Sequence, residues 1–274
     1  MTKILNGSEL VGYIKERQAR EVRVLIQAHH VTPKLVIIKS KGASEVIDTY
    51  VRMKERYSDD IQIVTVVETL SEDEMPAKIA EYNADPSVHG MIVQLPLDDT
   101  SRTDEIVNLL APEKDVDGLG ENAGFDSATA TAVNWLLAGY GVELKGKKLA
   151  IVGGGRLVGG PLAKMWTASG FDVTVLGSKT QDIASVLREC DVIVTATGVP
   201  HLVTNAMVGV GAVVVDAGTA SENGVIVGDV DDAVRERDDL TITPEKGGVG
   251  PLTITSLFDH VIAAAKRTSE QNPS

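Results

Sequence analysis

"KLAIVGGGRLVGGPLAKM", residues 148–165, decides the fold. A short apolar run leads into a cluster of glycines, and an apolar-periodic stretch follows, so the segment reads as strand, tight turn and helix. Gly153, Gly155 and Gly159 fit the spacing G-x-G-x-x-x-G. In such a unit the first glycine permits the turn, the second lets a pyrophosphate approach the backbone, and the third lets helix and strand pack closely. The free N–H groups and the dipole at the helix N-terminus favour an anion there. Glycine turns of this kind also occur in sheets that bind nothing. Here the alternation continues through "DVTVLGS" (172–178), "CDVIVTATG" (190–198), "AVVVDAG" (212–218) and "LTITPEKGGVGPLT" (240–253). That order predicts a doubly wound, Rossmann-like domain that takes a dinucleotide.

Upstream lies a second alternation. Leu10, Ile14, Val22 and Leu25 recur at helical spacing over residues 8–30. "KLVIIKS" (34–40) reads as a strand, "SEVIDTYVRMKERYSD" (44–59) as a helix capped by Ser44, and "IQIVTVVE" (61–68) as a strand. "SEDEMPAKIAEYNAD" (71–85) returns to helix, and "HGMIVQLPL" (89–97) to strand. A short helix, "DEIVNLLAP", ends near Pro112, and the glycine-rich acidic stretch 113–128 marks a boundary. The prediction is an α/β protein of two domains: a three-layer N-terminal substrate domain over 1–122, completed by the C-terminal helix at about 252–268, and a cofactor domain over 123–251.

Composition narrows the functions. The formal net charge of -13 argues against nucleic acid and anionic membrane surfaces, which need clustered Lys and Arg. The single cysteine, Cys190, excludes an intrachain disulfide and a cysteine-based metal site, and its apolar setting reads as a small buried residue. No metal is expected. No run approaches the ~20 apolar residues of a membrane span, and no signal peptide is evident, so a cytoplasmic protein is expected. "DVDDAVRERDD" (229–239) reads as a charged surface face.

Cofactor type is normally read at the end of the second strand, where an acid would accept from a free ribose hydroxyl. "DVTVLGSKT" offers no acid there but Ser178, Lys179 and Thr180, which suit a phosphate and lean the reading towards NADP, with NAD open. In the substrate domain, Tyr50 and Lys54 are four residues apart and share a helix face. Gln94 stands where a strand ends, directly before Leu95 and Pro96, a position where α/β sheets carry chemistry.

Taken together, "GASEVIDTYVRMK", "GMIVQLPL", "PEKDVDG", "GKKLAIVGGGRLVGGP", "VTVLGSKT", "CDVIVTATG", "VVDAG", "GDVDD" and "ITPEKGGVGPLT" occur in one order across roughly residues 42–255. The sequence thereby resembles the methylenetetrahydrofolate dehydrogenase/methenyltetrahydrofolate cyclohydrolase family. The resemblance implies a folate-binding N-terminal domain, an active site in the cleft between the domains, and tetrahydrofolate one-carbon derivatives as substrates. It implies Lys54 as catalytic lysine, Gln94 as its partner, Tyr50 as ring-stacking residue and Asp117 as the pterin-binding carboxylate. Gly247, Gly248 and Pro251 of "GGVGP" would meet folate and nicotinamide. Gly153, Gly154, Gly155, Arg156, Gly159, Ser178, Lys179, Thr180, Thr197, Gly198 and Gly218 would line the cofactor. A homodimer joined through the cofactor domain is implied as well.

The sequence departs from the family at several points. Gly154 and Gly155 replace an Arg-Ser pair whose arginine helps hold the extra phosphate of NADP, so Arg156 or Lys179 would have to substitute. Gly177 replaces a histidine, Lys246 a proline, and "SATA" (127–130) the element "PCTP". Two alternatives compete: an impaired paralogue that binds folate or nucleotide without turnover, and a dehydrogenase of the shikimate type. "QLPL" with "GGVGPLT" argues against the second.

Overall fold

A computed structural model of the chain describes residues 3–222 and 225–271. The order is β1 (Lys3–Ile4), α1 (Gly7–His29), β2 (Lys34–Ser40), α2 (Glu45–Ile61), β3 (Val64–Leu70), α3 (Met75–Ala84), β4 (Gly90–Val93), α4 (Thr103–Val107) and α5 (Ala128–Gly139). Then come β5 (Leu149–Val152), α6 (Gly159–Ala168), β6 (Val173–Leu176), α7 (Ile183–Arg188), β7 (Val192–Thr195), β8 (Val213–Asp216), β9 (Ala220–Glu222), β10 (Val225–Val227), α8 (Asp232–Arg235), β11 (Thr241–Ile242) and α9 (Val249–Gln271).

The chain forms two compact units: Gly12–Ala128 with Ile254–Ser274, and Met1–Val11 with Thr129–Thr253. Lys3–Val11 therefore pack with the second of these units, although the expected substrate domain ran over 1–122. The reason is β1, which pairs in parallel with β11, Lys3 against Thr241 and Ile4 against Ile242. A two-residue strand is too short to announce itself by periodicity.

In the unit containing residues 12–128, three parallel strands lie in the order β3-β2-β4. Leu35, Val36, Ile37 and Ile38 of the central strand are fully buried. That is the continuous apolar run expected of a parallel strand covered on both faces. Strand β4 ends at Val93, short of the 89–97 run read from the sequence, because Pro96 has no N–H for a ladder. Tyr57 of α2 stacks on Phe258 of α9 with ring centroids 5.2 Å apart. Its hydroxyl donates to Gln18 Oε1 at 2.7 Å, and Gln18 Nε2 donates to the Thr255 carbonyl at 2.9 Å. This buried polar chain fixes α2 against α1 and α9, and with it the face that carries Tyr50 and Lys54.

The other unit is built on a six-stranded sheet in the order β1-β11-β8-β7-β5-β6, and every pairing within it is parallel. Strand β5 and strand β7 are wholly buried. Cys190 is a buried free thiol, its pKa pushed up by that burial. Helix α9 begins at Val249, three residues before the expected start, because Pro251 falls in the first turn, where a missing N–H costs nothing. Among the described residues no helix is long and apolar enough to cross a membrane.

Candidate active site

Helix α2 starts where Ser44 adopts an extended conformation and its side chain accepts from the Ile47 N–H at 3.4 Å. Ile47, Val51, Ser58 and Ile61 face inward. Tyr50 and Lys54 flank that stripe and are half-buried. From this position Lys54 Nζ donates to Gln94 Oε1 at 2.7 Å. Gln94 is held in turn by its own backbone, whose N–H donates to the Ile38 carbonyl at 2.8 Å, and its Nε2 donates to the Leu95 carbonyl at 3.3 Å.

Asp117 reaches the same region by a backbone device. Met91 and Asp115 form an isolated parallel bridge, with the Met91 N–H donating to the Lys114 carbonyl at 2.7 Å. Two residues further along each partner stand Val93 and Asp117, so the aspartate arrives level with the end of β4. Asp115 is taken up by the backbone that follows it. Its Oδ1 accepts from the Gly118 N–H at 3.0 Å and its Oδ2 from the Gly120 N–H at 2.8 Å, which shapes the turn. Gly118 has φ +69, and a Cβ there would lie 2.4 Å from the Asp126 carbonyl oxygen, so only glycine fits.

Two further supports escaped the sequence reading. Lys114 is buried, and its Nζ donates to the carbonyls of Tyr82, Asn83 and Asp85 at 2.8, 2.9 and 2.7 Å, satisfying the C-terminal end of α3. His260 Nδ1 lies 2.8 Å from the Val116 carbonyl, and burial pushes the pKa of its ring down. The neutral ring must therefore carry its proton on Nδ1 to donate there. Lys114 lies within the "PEKDVDG" motif but its carbonyl partners come from another helix.

The electrostatics follow from burial. Lys54 has its pKa lowered by desolvation, which the Asp117 charge partly opposes. Asp117 is raised to about 6, mainly by burial and further by the Asp115 charge, against the favourable Lys54. Tyr50 is raised by burial and stays a phenol. A lysine whose neutral form is made more accessible, oriented by an amide that adds no charge, can take up and release a proton.

The glycine loop lies in the other unit. Gly153 has φ +95 and donates its N–H to the Leu176 carbonyl at 2.7 Å. A Cβ on Gly159 would fall 1.7 Å from the Gly153 carbonyl oxygen, so turn and helix touch backbone to backbone. Around Gly155 nothing lies within 4 Å of a Cβ, leaving the backbone open to an approaching group, and Gly154 would meet only Val175 at 3.3 Å. Arg156 is exposed beside them. Strand β6 runs beside β5, Val152 in register with Leu176, which brings the 178–180 turn next to this loop. Ser178 and Lys179 are exposed there, whereas Thr180 is committed to the turn: its Oγ1 accepts from the Gly177 N–H at 2.9 Å. Thr197 and Gly198 follow β7, Gly198 with φ +69, and Gly218 follows β8. Gly247, with φ +85, Gly248 and Pro251 lie at the start of α9, within this same unit.

The expectation of a charged surface over 229–239 is wrong at two positions. Asp229 is fully buried, and the Arg235 side chain is only 15% exposed because it pairs with buried Asp216 at 2.6 Å.

Comparison with known proteins places both units. Residues 5–117 match the model of the tetrahydrofolate dehydrogenase/cyclohydrolase catalytic domain, and residues 127–269 match that of the NAD(P)-binding domain of the same enzymes. The bifunctional protein FolD 2 of Geobacter metallireducens is 36% identical over 288 residues, covering 99% of this chain and 100% of that one. The crystal structure of the bifunctional enzyme FolD from Campylobacter jejuni superposes with a TM-score of 0.91 at 35% identity, covering 97% of this chain and 99% of that one. The Trypanosoma brucei enzyme, complexed with NADP cofactor and inhibitor, gives 0.90 at 29% identity, covering 97% and 98%.

Proposed function

The chain belongs to the tetrahydrofolate dehydrogenase/cyclohydrolase family, and from that premise we propose how its own residues divide the two reactions. The substrate is methylenetetrahydrofolate, oxidised to methenyltetrahydrofolate and then hydrolysed to formyltetrahydrofolate. The observation that carries the reading is the 2.7 Å hydrogen bond from Lys54 to Gln94, beside the charge of Asp117.

Asp117 accepts from the ring N–H and exocyclic amine that a pterin presents side by side. Tyr50 supplies a ring for the folate to stack on. The oxidation removes a hydride from the methylene carbon, and the two substrate nitrogens share the positive charge left behind. No strong base is required, so the task of the protein is placement. Hydrolysis needs more: water adds to the cationic carbon, a C–N bond breaks, and a proton must reach the departing nitrogen. Lys54 moves that proton and Gln94 orients it.

The nicotinamide cofactor supplies the hydride acceptor. The residues fit it: the Gly153–Gly159 turn leaves no room for a side chain on either residue, while the backbone at Gly155 stands open. Gly153, Gly154, Gly155, Arg156 and Gly159 would hold the pyrophosphate side, with Thr197, Gly198 and Gly218 on the neighbouring strand ends. We assign NADP as the preferred form on the exposed Ser178 and Lys179 without an acid beside them. A cytoplasmic homodimer joined through the cofactor unit completes the reading, supported by the family resemblance; a monomeric mass by light scattering at micromolar concentration would exclude the dimer.

The test follows nicotinamide reduction with methylenetetrahydrofolate, offering NADP and NAD in parallel to the parent and to Lys179→Ala. Turnover by the parent with a preference for NADP that falls in the variant is expected. No turnover with either nucleotide would leave an impaired folate-binding protein. An unchanged preference would remove Lys179 as the reader of the phosphate.

A further inference from the structure

Behind the ends of β7 and β8 lies a buried ionic cluster that the reaction chemistry does not use. Asp216 closes β8. Its Oδ1 accepts from the Thr195 hydroxyl, the Gly218 N–H and the Asp229 N–H, each at 3.1 Å. Its Oδ2 accepts from the Val230 N–H at 3.1 Å and from Arg235 Nη2 at 2.6 Å. Arg235 Nη1 donates to the Val230 carbonyl at 2.6 Å. Arg235 thus compensates one buried carboxylate, and that carboxylate fixes the backbone from which Asp229 projects.

Asp229 is fully buried. Its Oδ2 accepts from the Thr197 N–H at 2.6 Å. Among the described residues its Oδ1 has no hydrogen-bond partner. Gly218 is pressed against it so closely that a Cβ there would lie 2.1 Å from Oδ1. One carboxyl group therefore grips the loop after β7 and backs the loop after β8. In an open parallel sheet, ligands bind at these carboxyl ends of the strands.

We propose that Asp229 is a positioning residue for nicotinamide cofactor binding, setting the Thr197–Gly198 loop and the Gly218 backbone at the strand ends where the cofactor lies. The inference rests on the cofactor assignment made above. Asp229 touches no reacting atom; it acts through the two loops. The grip needs an acceptor for the Thr197 N–H, not a negative charge. Asp229→Asn keeps that acceptor and puts an amide nitrogen at the position of the unpartnered Oδ1. Asp229→Ala removes the acceptor and leaves the Thr197 N–H unsatisfied.

The two activities supply an internal control, since hydrolysis of methenyltetrahydrofolate consumes no nicotinamide. NADPH binding is measured by fluorescence titration on the parent, Asp229→Asn and Asp229→Ala, beside methenyltetrahydrofolate hydrolysis on the same preparations. The expected result is an NADPH Kd raised about tenfold or more in the alanine variant and less than about threefold in the asparagine variant, with hydrolysis near the parent rate in both. An alanine variant that binds NADPH within about twofold of the parent overturns the proposal. So does a loss shared equally by binding and hydrolysis in both variants, which would make Asp229 a general determinant of folding. A parent that hydrolyses its substrate but binds neither NADPH nor NADH removes the cofactor assignment itself, and the inference with it.

Discussion

The Lys54 amine donates to Gln94 Oε1 at 2.7 Å across a separation of 40 residues in the chain. One partner is fixed by a capped helix and the other by the end of a buried strand, so neither has to be ordered when a substrate arrives. An amide orients the lysine without adding a charge, so it favours the ammonium less than a carboxylate in the same place would.

Replacing Gln94 with Ala removes that orientation. A hydrogen bond to a charged group contributes about 1.5–3 kcal/mol, so cyclohydrolase activity falls roughly 10–100-fold. Replacing it with Glu sets a negative charge beside the amine and raises the Lys54 pKa. The pH profile of hydrolysis then moves to higher pH. Initial rates of methenyltetrahydrofolate decay over a pH series check both outcomes; a Gln94→Glu profile superimposable on the parent would show that Gln94 does not face the proton-carrying group.

Asp117 gives a pH prediction with a definite sign. Its pKa rises from 3.8 to about 6 in the folded chain. Its contribution to stability is therefore greatest below 3.8 and is lost as pH rises through about 6, because charging it inside the protein is disfavoured. Asp117→Asn cannot ionise. The variant is expected to melt above the parent at pH 7.5, the gap closing as pH falls towards 4, while folate binding weakens in both reactions. Thermal melts of the pair between pH 4 and pH 7.5 decide it; a gap that widens on acidification would reverse the assigned shift.

How far these features could be read from the amino acids depends on how local they are. The strand–glycine–helix unit at 148–165 is legible because each glycine answers to its own turn, and positive φ at Gly153 is a property of a few neighbouring residues. Tyr50 and Lys54 share a face by spacing alone. The joining of Lys54 to Gln94 is a tertiary fact, and only resemblance suggested the pairing. Asp229 shows the opposite failure. It opens a run of charges that looks solvated, yet its partners Thr197 and Gly218 and its neighbour Asp216 come from strand ends elsewhere in the chain. Burial of a charge requires such distant compensation, and local composition carries no trace of it.

The glycine loop predicts unequal tolerance at adjacent positions. Gly159→Ala drives a Cβ to within 1.7 Å of a backbone carbonyl. It is expected to lower stability by at least about 1–3 kcal/mol and to abolish dehydrogenase activity. Gly155→Ser meets nothing within 4 Å and leaves the melting temperature unchanged. Melting curves and nicotinamide reduction on the two variants check this, and a destabilised Gly155→Ser would mean that the loop is tighter than its geometry implies.

The central claim is that Lys54 carries the proton of hydrolysis while hydride transfer depends on placement. Lys54→Met keeps the length and apolar stem of the side chain and removes the amine. The direct measurement is methenyltetrahydrofolate decay, corrected for the uncatalysed reaction, beside nicotinamide reduction on the same Lys54→Met preparation. A general acid–base group contributes about 10²–10⁴-fold, so hydrolysis should fall by that factor or more while part of the dehydrogenase activity survives. Hydrolysis at the parent rate would contradict the account and leave Lys54 an ordinary lysine on α2.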